Sequence, residues 1–139
     1  MKFISILFLI TACIVIGCDK EKDPIIYTGP DFVEFFPVSR SVTTTAAPKR
    51  DSFLVQLVGP QRSTATKITF QIDPSSTAVA STDYELLTPA VEIPANSSSA
   101  WIKFRLFKVS STKTLKVNLT NADGTKVSPN YNTFVYTLR

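Results

Sequence analysis

The 139-residue chain contains no histidine. That absence removes the Ser-His and Cys-His nucleophile systems, the commonest general base and the usual zinc and copper ligand sets. Cysteine is almost as scarce: Cys13 and Cys18 are the two, both near the start of the chain. Nothing after them can form a disulfide or serve as a thiol nucleophile. Blocks of like charge are missing as well. Lys and Arg number 15 against 11 Asp and Glu, but Arg40, Lys49, Arg50, Arg62, Lys67, Lys103, Arg105, Lys108, Lys113, Lys116, Lys126 and Arg139 are scattered, which argues against nucleic-acid binding. Acidic residues stand singly as Asp51, Asp73, Asp83, Glu85, Glu92 and Asp123. No motif pairs two of them as a glycosidase would. The chain is therefore expected not to be an enzyme and to need no cofactor.

What the sequence does have begins at its start. MKFISILFLITACIVIG carries one positive charge, Lys2, and then an apolar stretch from Phe3 to Ile16. This is the layout of a secretory signal, and it is shorter than the roughly 20 apolar residues of a membrane-spanning helix. Val15-Ile16-Gly17-Cys18 resembles a bacterial lipobox, although Val15 stands where Leu is usual. The resemblance implies cleavage before Cys18 and lipid attachment at Cys18, so that the acyl chains hold the protein to a bilayer. The run Asp19-Lys20-Glu21-Lys22-Asp23, closed by Pro24, reads as a flexible spacer. It also resembles the export signal of surface lipoproteins in Bacteroidetes-type bacteria, which implies an outer-membrane lipoprotein exposed at the cell surface. The expected organisation is a signal peptide over 1–17, a lipidated tether over 18–30 and one domain over 31–139. Loss of the leader leaves 122 residues, enough for one modest core, and removal of Lys2 takes the net charge from +4 to +3.

From Asp31 onward apolar residues recur with period two. The alternating sets are Val33 and Phe35; Phe53, Val55 and Leu57; Ile68, Phe70 and Ile72; Val91 and Ile93; Ile102, Phe104 and Leu106; Leu115, Val117 and Leu119; and Phe134, Tyr136 and Leu138. Turn residues punctuate them at Gly59-Pro60, Asp73-Pro74-Ser75-Ser76, Pro94-Ala95-Asn96-Ser97, Asn121-Ala122-Asp123-Gly124 and Ser128-Pro129-Asn130. One apolar face per strand predicts an all-β, antiparallel, immunoglobulin-like sandwich of about seven strands.

The segments Ala78-Val79-Ala80-Ser81-Thr82-Asp83-Tyr84, Val91-Glu92-Ile93-Pro94-Ala95-Asn96-Ser97-Ser98-Ser99-Ala100 and Ile102-Lys103-Phe104 resemble the Calx-beta pattern, in which an A-x-x-G-x-D-Y turn precedes a strand of the form h-x-I-P-A-G. Here Thr82 is expected to take up the turn, and Asn96 stands for the second glycine because Asn tolerates the left-handed backbone. The resemblance implies Tyr84 packed under the turn and Asp83 bonded to local backbone. It does not carry calcium across, since the carboxylates are too few and too dispersed for an ion that takes about six to eight oxygens. No metal site is expected.

Trp101 is the only tryptophan. If Ile102, Phe104 and Leu106 face the core, then Trp101, Lys103, Arg105 and Phe107 share the opposite face. Aromatic rings flanking two cations suit a sugar or peptide; the plainer and preferred reading tucks Trp101 and Phe107 under neighbouring loops. Phe32, Glu34 and Phe36 form a similar outward set on the first strand, which is expected either to be covered by the chain's own loops or to be an edge that pairs with a partner. Two functions follow as expectations. The first is a lipid-anchored envelope module that binds glycan for a polysaccharide-uptake system. The second is an assembly module that pairs a sheet edge with a larger outer-membrane or adhesin partner.

Overall fold

The computed structural model describes residues 27–139. The leader, Cys18 and the tether up to residue 26 lie outside the described residues. Ten strands follow among the described residues: β1 (Phe32–Phe36), β2 (Ser39–Val42), β3 (Lys49–Val58), β4 (Thr66–Ile72), β5 (Tyr84–Leu86), β6 (Val91–Ile93), β7 (Ser99–Leu106), β8 (Lys113–Ala122), β9 (Lys126–Val127) and β10 (Thr133–Leu138). Seven of them are the alternating segments. The additions are β2, β5 and β9, at 4, 3 and 2 residues too short to display a period.

The strands form two five-stranded sheets, ordered β5-β7-β3-β1-β9 and β2-β10-β8-β4-β6. Pairing is antiparallel except between β1 and β9 and between β10 and β2, so the sandwich is mixed where two of the short strands join it. The chain leaves the first sheet after Phe36 and enters the second at Ser39. One extended stretch thereby serves both sheets, and its second half must lie alongside β10 in the direction the first half imposes.

Alternate residues of the long strands meet between the sheets. Val33, Phe35, Phe53, Val55, Ile102, Phe104, Leu115, Val117, Phe134, Tyr136 and Leu138 are all completely buried. At the centre Phe53 stacks on Phe134 of the opposite sheet, with centroids 3.9 Å apart and planes 10° from parallel. Phe35 stands edge-on to Phe53 at 5.2 Å, and Tyr136 edge-on to Phe134 at 4.8 Å. Each such pair adds about 0.5–1.5 kcal/mol beyond the area it buries. The core cluster among the described residues runs from Val33 to Leu138, so residues 27–139 carry the apolar contacts a single domain needs.

Polar contacts close the ends. Arg40 of β2 donates from Nη1 to Asp51 Oδ1 at 2.6 Å and to the Ser52 carbonyl at 3.0 Å, tying the two sheets together. Close by, the Tyr136 hydroxyl is buried with no hydrogen-bond partner among the described residues; burial, and then the negative charge of Asp51, push its pKa up. Asp73 follows the last residue of β4, and its carboxylate accepts from the Ser75 amide at 2.7 Å and from Asn118 Nδ2 at 2.6 Å.

The turn before β5 departs from expectation in one residue. Ser81, not Thr82, adopts the left-handed conformation, with φ of 65°, and so occupies the glycine position of the pattern. Asn96 does adopt it, at φ of 58°. Asp83 is buried and accepts the Val79 amide on Oδ2 at 2.8 Å. Tyr84 is buried against Phe104, centroids 6.0 Å apart, and that burial raises its pKa.

Two outcomes are expected. Phe53→Ala empties the centre of the aromatic stack and costs about 3–5 kcal/mol, read as a fall in the urea midpoint. The hydrogen bonds from Ser75 and Asn118 hold the Asp73 carboxyl at about 2, below its ordinary 3.8. Its stabilising contribution is therefore complete above about pH 4 and disappears as the pH falls towards 2. Urea midpoints at pH 5 and pH 2.5 should diverge less for Asp73→Asn than for the parent protein.

Candidate binding face

Core packing fixes what the outer side of the first sheet presents. With Phe35, Phe53 and Ile102 pointing inward, strand register aligns Trp101 of β7 with Leu54 of β3, and Leu54 with Phe36 of β1. This apolar row crosses three adjacent strands, and strand spacing places the Trp101 and Phe36 backbones roughly 10 Å apart. Trp101 is 51% exposed and Phe36 62%, with Leu54 half-buried between them.

The loop after β9 extends the row. Ser128 donates its amide to the Val33 carbonyl at 2.8 Å, and the Phe35 amide donates to the Tyr131 carbonyl at 2.9 Å. These bonds hold residues 128–131 alongside β1 and leave the Tyr131 ring half-exposed beside Phe36. Glu34, Phe36, Pro37, Val38 and Tyr131 line a shallow hollow of about 330 Å³. A second hollow, of about 360 Å³, lies at the opposite end beside Trp101, Lys103, Val91, Glu92 and Pro94. The larger depression at Pro30, Asp31 and the turn Asn121–Lys126, of about 580 Å³, carries no aromatic ring.

Polar rows flank the apolar one. On the side nearer the chain's entry, Gln56 Nε2 donates to Glu34 Oε1 at 2.8 Å, and Glu34 is buried; one row further, exposed Lys126 of β9 lies opposite Phe32. On the other side Lys103 lies opposite Ser52, and the next row aligns Glu85, Arg105 and Arg50. Arg105 Nη1 bridges Glu85 Oε2 at 2.7 Å. Lys103 and Arg50 are exposed and form no ion pair among the described residues. They border a small hollow of about 160 Å³ together with Asp51, Ser52, Leu87 and Phe104.

Trp101, Lys103 and Arg105 thus share one face, with Arg105 occupied by Glu85. The reading in which Trp101 tucks under loops does not hold, because half of its surface is open. Phe107 is not part of the row: it follows the last residue of β7, is partly buried, and donates its amide to the Asp83 carbonyl at 2.9 Å. Phe32, Glu34 and Phe36 do face outward, but β1 lies between β3 and β9 and is not an edge. The actual edges, β5, β9, β2 and β6, run two to four residues each. Sequence reasoning passed over Leu54 and Tyr131. Leu54 had a signal, as an apolar residue on the polar side of its strand, whereas Tyr131 sits in a loop without period.

The carboxylates at the Lys49 and Lys113 end of the sandwich are already engaged. Asp51 binds Arg40, Asp73 binds Ser75 and Asn118, Asp83 binds the Val79 amide and Glu85 binds Arg105. No group of three or more Asp, Glu, His or Cys gathers among the described residues. These residues do not fit a calcium ion.

Two substitutions separate face from framework. Trp101→Ala should change stability by no more than about 0.5 kcal/mol, as an exposed site does. Asp83→Ala strands the Val79 amide and should cost about 1–3 kcal/mol; chemical denaturation of both variants checks the contrast.

No family model matches the chain, and no curated protein matches it in sequence. Solved structures do match in shape. The apo form of the Calx CBD1 domain superposes with a TM-score of 0.64 at 14% identity, covering 79% of this chain and 96% of that one. The Calx CBD2 domain gives 0.63 at 15% identity, over 78% and 85%. A candidate carbohydrate-binding protein from Bacteroides ovatus gives 0.61 at 8% identity, over 77% of this chain and 36% of that one. At such identities the likeness is one of fold: the chain is a Calx-beta-like β-sandwich.

Proposed function

We propose that this chain is a glycan-binding module held on the bacterial cell envelope by lipid at Cys18. Cys18 lies outside the described residues, and its role rests on the lipobox resemblance. The observation that carries the binding reading is the row Trp101, Leu54, Phe36 and Tyr131, open to solvent and continuous across the sheet. Contiguous exposed apolar surface on a folded domain marks a binding site. Flat rings cover the apolar faces of sugars, while Lys103 on one side and Gln56 and Glu34 on the other offer donors and acceptors for hydroxyl groups. The carbohydrate-binding description of the Bacteroides neighbour points the same way. An accessory role in polysaccharide uptake is the setting such a module suits, and no catalytic group is invoked.

The assembly reading is less well supported. Edge pairing needs a run of unpaired backbone groups, and the outermost strands β5, β9, β2 and β6 run only two to four residues each, which leaves parts of β7 and β4 as the longer stretches a partner could join.

A glycan array probed with residues 27–139 tests the proposal. A hit should shift the emission of Trp101, and Trp101→Ala and Phe36→Ala should each weaken it about tenfold or more, about 1.4 kcal/mol. A blank array, or hits indifferent to both substitutions, would remove the reading.

A further inference from the structure

We infer that the ligand of this face is an anionic polysaccharide, its rings lying on the Trp101, Leu54 and Phe36 row and its carboxylate or sulfate groups reaching Lys103 and Arg50. The inference rests on the glycan reading and adds the charge class of the ligand. Its basis is the asymmetry of the two polar flanks. On one side the rows Lys103–Ser52 and Glu85–Arg105–Arg50 place three cations against one carboxylate within the rows; two further carboxylates border them, Asp51, which is held by Arg40, at the hollow between Arg50 and Lys103, and Glu92 at the hollow beside Trp101. Arg50 and Arg105 are direct cross-strand partners, and like charges so placed repel. Glu85 relieves Arg105 through their 2.7 Å bridge, and nothing among the described residues does the same for Arg50 or Lys103.

An anion above this corner offsets the repulsion and satisfies donors that otherwise face water. Reach is adequate: Lys103 is two residues along β7 from Trp101, roughly 7 Å, so a charged substituent on a sugar stacked over Trp101 falls beside the ammonium group. Arg50 adds a planar fork suited to carboxylate or sulfate. The opposite flank is poorer in cations: Lys126, paired with Phe32 at the start of β1, is the one that register places there among the described residues. Beside the apolar row on that side Glu34 is buried and bonded through Oε1 to Gln56, so the adjacent row offers hydrogen-bonding groups for hydroxyls and no cation for an anion. A polymer on the row is thereby turned with its charged groups towards Lys103 and Arg50.

The test measures binding of residues 27–139 to polygalacturonate, to the same polymer after carboxyl reduction, and to a sulfated galactan with its desulfated product. At least one acidic polymer should bind tenfold or more tightly than its neutral counterpart, and the preference should shrink as NaCl rises from about 50 mM to about 0.5 M. The uronate and sulfate arms decide which anion is read. Lys103→Gln and Arg50→Gln, each with an unchanged thermal midpoint, should lose several-fold affinity for the acidic polymer and none for the neutral one. Lys108→Gln and Lys113→Gln, off this face, should lose nothing. Equal binding of the neutral polymers, still abolished by Trp101→Ala, overturns the charge assignment and leaves the platform standing. Acidic binding that ignores Trp101→Ala, or that falls equally with Lys108→Gln, shows diffuse attraction and overturns it too. If no polymer binds, both readings fall.

Discussion

The stack of Phe53 on Phe134 joins the two sheets at their centre, and the rest of the molecule is arranged by it. Once Phe53 points inward, pleating leaves no freedom: Leu54 and Ser52 point out, and hydrogen-bond register carries that parity to Phe36 on one side and Trp101 on the other. A shift of one residue in any of these strands would bury the row and expose the stack. Core and outer face are thus two results of a single choice of register, and the apolar row is reproducible because slipping out of it is so costly.

How much of this could be read from the sequence varies by element. The seven alternating strands and their inward residues were legible because a period of two, as in Ile102-Lys103-Phe104-Arg105-Leu106, suits a pleated strand and would scatter its apolar residues around a helix. β2, β5 and β9 were not. Two to four residues such as Lys126-Val127 carry no period, and they pair only because longer strands leave an edge beside them. Half of the face was legible for the same reason: Trp101, Lys103 and Arg105 follow from the parity of Ile102 and Phe104. Phe107 was misplaced because parity was carried one residue past the end of the strand. Tyr131 could not be found, since it is placed by backbone hydrogen bonds to β1 from a loop distant in sequence. The left-handed residue falls on Ser81 instead of Thr82, a matter of backbone angles that residue types without glycine do not announce.

Charge is better described by where it is engaged than by its total. The acidic side chains near the Lys49 end are drawn into structure, holding a turn at Asp83, a strand end at Asp73 and the two sheets together at Asp51. Their neighbouring cations are mostly free. Three of the scattered cations, Lys103, Arg105 and Arg50, are thus gathered by strand register at one corner of one face, which the composition alone does not reveal.

The position of Phe36 has a mechanical consequence. It ends β1, the strand into which the chain passes from residue 27, and β1 is held by β3 on one side and β9 on the other. Tension between an object gripped at Phe36 and the N-terminal side of the chain runs along this one strand, parallel to its axis. The covalent backbone of β1 carries that load, whereas a load on Leu54 or Trp101 reaches β1 only across the β1–β3 ladder, whose bonds then act together in shear. A pull on the row is therefore resisted by backbone and core together, since Val33 and Phe35 of the same strand are packed into the centre.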